Sequence, residues 1–106
     1  MKPREFSEEE VQDMFLSYVK VLIDYWEKVE SEPSVKGKLE GLAFSILSTI
    51  DGSSVALPSF ILAPLPAPED KLYLIANGEN YFPENHKFKV KCDISGSLHE
   101  KFVSKK

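Results

Sequence analysis

A chain of 106 residues, 42% hydrophobic and 28% charged, holds enough apolar side chain for one small globular domain spanning 1–106 and is too short for two. A single cysteine, Cys92, excludes an internal disulfide and any cysteine-rich zinc site. The net charge of −4 is uneven: the first 33 residues carry four basic and nine acidic side chains, whereas 84–106 carry six and three, and the acidic balance argues against a dedicated nucleic-acid binder.

The opening "MKPREFSEEE" is charged, so no signal peptide is expected. No run approaches the roughly 20 apolar residues of a membrane span. The expectation is a cytoplasmic protein with no membrane partner. Ser7-Glu8-Glu9-Glu10 has the form of a capping box, and three acids suit the positive end of a helix dipole. Val11, Met14, Phe15, Tyr18, Val19, Leu22, Trp26 and Val29 then recur at helical spacing, which predicts a helix from about Ser7 to about Glu30. The opposite face carries Gln12, Asp13, Lys20, Asp24, Glu27 and Lys28.

Pro33 ends that helix, and Ser34 reads as the cap of a second. It runs to about Ile50 with Gly52 as its left-handed stop. Val35, Leu39, Leu42, Ala43, Ile46, Leu47 and Ile50 mark its inner face and Phe44 widens it, so the helix calls for cover on more than one side. The short break predicts that the two helices pack antiparallel, with Gly37 and Gly41 allowing a close backbone approach.

Beyond Ser53 the pattern predicts smaller elements. "SFILAP" reads as a short apolar strand. Pro68-Glu69-Asp70 opens either a short helix stopped at Gly78 or a hairpin turning at Asn77-Gly78, with the helix favoured by the proline, the acids and the glycine. "KFKVKC" alternates, which predicts a half-buried strand with Phe88, Val90 and Cys92 inward and three lysines outward at a sheet edge. Tyr81 and Phe82 plug the end of the helix pair or form an aromatic patch for a partner. Ser97 caps a final turn in "SLHEKF". The expected fold class is α+β and helix-dominated: two antiparallel N-terminal helices, then short strands and short C-terminal helical segments.

Few residues carry chemistry. Asp51-Gly52-Ser53-Ser54 lacks the G-x-S-x-G elbow of a serine hydrolase and the acid spacing of a calcium loop. Glu40 and Asp51 share a helical stripe but stand about 16 Å apart, too far for one acid/base pair. No H-x-x-x-H or H-E-x-x-H occurs, so the spacing of His99, Glu100, Asp93 and Asp51 does not by itself demand a metal. His86 reads as a solvated turn residue and Cys92 as a small core residue. No phosphate-cradling loop is present, so no cofactor is expected.

"EGLAFSILSTIDGSSVALPSFILAP", "GENYFP" and "DISGSLHEKF", spanning about Glu40 to Phe102, together resemble a family of small bacterial proteins with no established activity. The resemblance implies no function, and it directs attention to Glu40, Ser45, Asp51, Glu79, Asn80, Asp93, His99 and Glu100. The residues favour a non-enzymatic protein-interaction module that binds a protein partner or forms a homodimer. The alternative is a small enzyme or a ligand- or metal-binding protein whose site gathers Asp51, Glu79, Asn80, His99 and Glu100. Convergence of these groups around a cleft discriminates between the two.

Overall fold

Two helices that each bury one face need a seam that lets them approach, and the sequence places its smallest side chains there. The computed structural model describes residues 3–84 and 89–105. The element order is α1 (Glu8–Lys28), α2 (Val35–Ile50), α3 (Asp70–Ala76) and α4 (Leu98–Ser104). Two compact units divide the chain: Met1–Phe60 with Cys92–Lys106, and Ile61–Lys91.

In the first unit α1 starts where the capping box predicts. The Ser7 hydroxyl accepts from the Glu10 amide at 3.1 Å, and the Glu10 carboxylate accepts from the Ser7 amide at 2.9 Å. Arg4 adds a two-pronged contact to Glu10 at 2.8 and 2.7 Å. Helix α2 is capped by Ser34, whose hydroxyl accepts from the Gly37 amide at 3.0 Å. The α2 stop is a Schellman closure: Gly52 (φ 97°) donates to the Thr49 carbonyl at 3.1 Å and Ser53 to the Ser48 carbonyl at 2.9 Å. "IDGSS" is thus the terminus of α2.

The helices pack antiparallel, since Lys38 Nζ reaches the Glu27 carbonyl at 2.9 Å while Tyr18 and Leu22, earlier on α1, meet Ser45 to Thr49, later on α2. The seam is narrow. The Trp26 indole lies against Gly41, where an added Cβ would stand 2.5 Å from the ring, and its N–H donates to the Ser45 hydroxyl at 2.9 Å. Residues after α2 fold back over the open end of the pair. Leu57 is buried, Phe60 meets Phe15 edge-on at 5.3 Å, and the Phe60 amide satisfies the Ile50 carbonyl at 2.8 Å. The plug of the hairpin therefore includes Leu57 and Phe60. Tyr81 and Phe82, assigned that role from the sequence, are exposed in the second unit, where Lys71 stands 5.3 Å over the Tyr81 ring.

The expected α+β class is overturned, because the described residues contain helices and no strand. "SFILAP" has no regular secondary structure and forms no ladder among the described residues, and Ile61 and Leu62 are exposed. Pro58, Pro64, Pro66 and Pro68 lack the amide that a ladder requires. In "KFKVKC" the residues Lys87 and Phe88 lie outside the described residues. Lys89 to Cys92 form no strand, and Val90 and Cys92 face solvent, so Cys92 is an exposed thiol and no core residue. An alternating pattern supplies a strand only if a neighbouring edge accepts its hydrogen bonds. Residues 70–76 form the helix α3, closed by a second Schellman pair: Gly78 (φ 67°) to the Ile75 carbonyl at 3.0 Å and Glu79 to the Leu74 carbonyl at 2.9 Å. Ser97 precedes α4 as predicted but caps it without a side-chain bond, in a left-handed conformation (φ 57°).

The seam separates two glycines. Gly41→Val should destabilise the fold by about 2 kcal/mol through overpacking against Trp26. Gly37→Ala meets only the flexible end of Glu32 and should stay within about 1 kcal/mol of the parent, helped by helix propensity. Thermal melts of both variants check the order; an equal loss at Gly37 would relocate the seam.

The Arg4 contact lowers the Glu10 pKa from 4.5 to about 2, the guanidinium hydrogen bond being the largest cause. Because the folded value is depressed, this stabilisation is complete above about pH 4.5 and is lost as pH falls through about 2. Carboxyl titration followed by NMR should show Glu10 as the most acidic glutamate in the first turn of α1, rising toward 4.5 in Arg4→Gln.

Candidate functional site

With Thr49, Gln12 on the polar face of α1 is one of two buried polar side chains among the described residues. It is 6% exposed. Its amide nitrogen donates to the carbonyls of Ile94 at 2.7 Å and Gly96 at 3.0 Å, and its oxygen accepts from Lys101. One turn on either side, the same stripe continues. Glu8 accepts from the Asp93 amide at 3.2 Å, Leu16 is buried, and Lys20 lies 3.8 Å over the Phe102 ring. Lys105 pairs with Asp13. Residues 93–105 are thereby strapped along the first half of α1, with α4 packed on α1. A polar stripe that reads as the outer face is instead a second packing surface.

The shallow groove beside this strap, about 410 Å³, is lined by Glu9, Gln12, Asp13, Leu16 and residues of α4. Lys101 and Lys105 are already joined to Gln12 and Asp13 there. A recess of about 200 Å³ between α1 and α2 is lined by Tyr18, Leu22, Phe44 and a group of hydroxyl residues. The Ser45 hydroxyl accepts from Trp26 across the seam, and the Thr49 hydroxyl donates back to the Ser45 carbonyl within α2 at 2.8 Å, so both hydroxyls are engaged. The lining contains no histidine or carboxylate that would activate a serine.

The residues singled out from the sequence fall in separate places. Glu40 lies on α2 facing water, 3.9 Å from Lys36 one turn earlier. Asp51 is the exposed C-cap of α2. Asp93 accepts from the Ser95 amide at 2.9 Å and the Ser95 hydroxyl at 2.6 Å, which holds its carboxyl below the usual range. His99 and Glu100 are neighbours on the exposed side of α4, 3.7 Å apart. Glu79 and Asn80 belong to the second unit and are exposed just beyond the α3 stop. Among the described residues, His99–Glu100 is the one hydrogen bond or ion pair that joins two of these seven, and no group of three histidine, cysteine or acidic residues is placed to hold a metal ion. Ser45 alone of the positions marked by the family resemblance lies in the seam between helices.

What remains unmet is apolar. On α2 the seam uses Gly41, Leu42, Ser45, Ile46 and Thr49, all half-buried or buried. Val35, Leu39 and Leu47, assigned to the inner face from the sequence, are 74%, 60% and 58% exposed, and Phe44 is 71% exposed. Val35, Leu39, Ala43 and Leu47 form one row at four-residue spacing, with Lys36, Glu40 and Phe44 in the row beside it.

No protein-family model, curated protein or solved structure matches this chain. No helix among the described residues is long and apolar enough to cross a membrane.

Sequence reasoning placed Gln12 on the outer polar face of α1 and passed over Leu16, and both are buried. Their signal was a glutamine and a leucine one turn apart beside the apolar stripe, which is weak without knowledge of the strap. Replacing Gln12 by Leu should cost about 1–3 kcal/mol, because two carbonyls and a lysine lose their partner. Asp51→Ala and His99→Ala should each stay within about 0.5 kcal/mol. Melting curves of the three variants test this ranking, and a large loss at Asp51 or His99 would restore those residues as part of a built site.

Proposed function

We propose that this chain works as a non-enzymatic protein-interaction module and that the outer face of α2 is its binding surface. The observation that carries the reading is the uncovered row Val35, Leu39 and Leu47 beside Phe44, four large apolar side chains on one helix with more than half of their surface in water. Scattered apolar side chains are ordinary on a protein surface; a contiguous group on one element marks an interaction site. A polar rim is present in Lys36 and Glu40, as interfaces require. The alternative reading, a small enzyme or ligand-binding protein, draws no support from the candidate polar residues, each of which has a local position of its own. The module is proposed to act in the cytoplasm, where an exposed thiol such as Cys92 stays reduced.

The test uses a photo-reactive benzoyl-phenylalanine in place of Leu39, with Asp24 on α1 replaced in the same way as control. Irradiation in the source cells should give a discrete protein adduct at position 39 that disappears when Leu47→Glu is added. No adduct at 39, or an identical pattern at 24, would overturn the reading.

A further inference from the structure

We propose that the occupant of the α2 outer face is a second copy of this chain, seated antiparallel about a two-fold axis that crosses the exposed row between Leu39 and Ala43. This rests on the interaction reading above and names the partner.

Three observations select a second copy. The first is shape. The exposed row reads Val35, Leu39, Ala43, Leu47, and an antiparallel copy centred midway between Leu39 and Ala43 sets Leu39 against the small Ala43 of its mate, and Ala43 against Leu39. Val35 then stands beside the mate's Leu47 at both ends. Large meets small in the middle, which lets two identical rows interdigitate. Rows at four-residue spacing that pack this way cross at about −50°, the commonest helix–helix arrangement.

The second is charge. Lys36 and Glu40 flank the row on one side, one of each sign, and pair within a copy at 3.9 Å, while Lys38, on its other side, is turned away to the Glu27 carbonyl of α1 at 2.9 Å. The face is therefore neutral to itself. A partner chosen by charge would need a rim of one sign; two copies of this face meet without net repulsion.

The third is area. From their fractional exposure, Val35, Leu39, Phe44 and Leu47 offer roughly 450 Å² per copy, so two copies bury about 900 Å² before Ala43 and the stems of Lys36 and Glu40 are added. That lies just below the roughly 1,000–1,200 Å² of the smallest specific interfaces and corresponds to a weak, reversible dimer rather than an obligate one. The first unit has reason to form it. Among the described residues only Leu16 and Leu57 are buried apolar side chains, and none is fully buried, so much of the apolar surface of α2 gains its cover only on pairing.

Sedimentation equilibrium of the full chain tests the inference. The weight-average mass should rise from one copy toward two between about 1 μM and 1 mM. Leu39→Glu and Leu47→Glu should each shift the midpoint at least tenfold upward while leaving the helical circular dichroism at low concentration unchanged. Register is read in the Cys92→Ser background by mixing Leu39→Cys chains with Ala43→Cys chains. Mixed disulfides should form faster than either like pair. A mass of one copy at every concentration overturns self-pairing, and so does a dimer that survives both glutamate variants or that joins Leu39→Cys chains to one another fastest. The interaction reading fails separately, when the photo-reactive residue at position 39 captures nothing.

Discussion

Two helices packed side by side can cover only one face of each other, and that geometric constraint governs the first unit of this protein. Helix α1 meets it by presenting two packing faces. Its apolar face takes α2, and a neighbouring polar stripe takes residues 93–105 through the Gln12 carboxamide. Within the first unit, the one helix that packs on α2 among the described residues is α1. The apolar residues of α2 exceed what α1 and the Leu57–Phe60 fold-back can cover, and the surplus faces water. The candidate function follows from that imbalance.

The two faces of α1 are held by different physics. Against α2 the attraction is burial, made possible by close approach: Gly41 admits the Trp26 ring, and Ser45 satisfies the indole N–H that burial would otherwise leave unpaired. Against the C-terminal strap the attraction is polar and directional. Gln12, itself buried, uses both ends of its amide, so the strap is positioned by part-buried hydrogen bonds to the Ile94 and Gly96 carbonyls and to Lys101. The aliphatic part of this contact is Leu16, with Lys20 over Phe102 closing its far end. A polar clamp of this kind fixes the register of a segment whose Ile94, Leu98 and Phe102 are half-buried.

The polar residues that looked most like chemistry prove to be parts of local structure or exposed side chains. Asp51 and Gly52 end a helix, Glu79 follows the end of another, Asp93 organises a turn with Ser95, and Glu40 answers Lys36. Acids, serines and glycines are needed at helix ends for the same reason that they are needed in sites: they supply hydrogen-bond partners and backbone freedom where regular structure stops. An interaction surface built on aliphatic side chains requires none of them.

The starts and stops of α1 and α2 were legible in the sequence because they depend on contacts a few residues apart, whereas residues 68–77 read either as a helix stopped at Gly78 or as a hairpin. Ser7 with Glu10, Ser34, Gly52 and Gly78 act within one turn, and the antiparallel pairing of α1 and α2 follows from the six residues between them. The candidate site was legible only in part: the excess of apolar residues on α2 could be seen, but not which of them would be left outside. The tertiary structure decided that through the Gly41–Ser45 seam, which turns Val35, Leu39 and Leu47 away from α1. It also decided that Gln12 and Leu16 are buried, through partners more than 80 residues away along the chain. And it decided that the alternating residues Lys89 to Cys92 form no strand. Helix bonds close within the segment that makes them, so sequence alone determines them; a strand or a buried face exists only if a distant segment arrives to complete it.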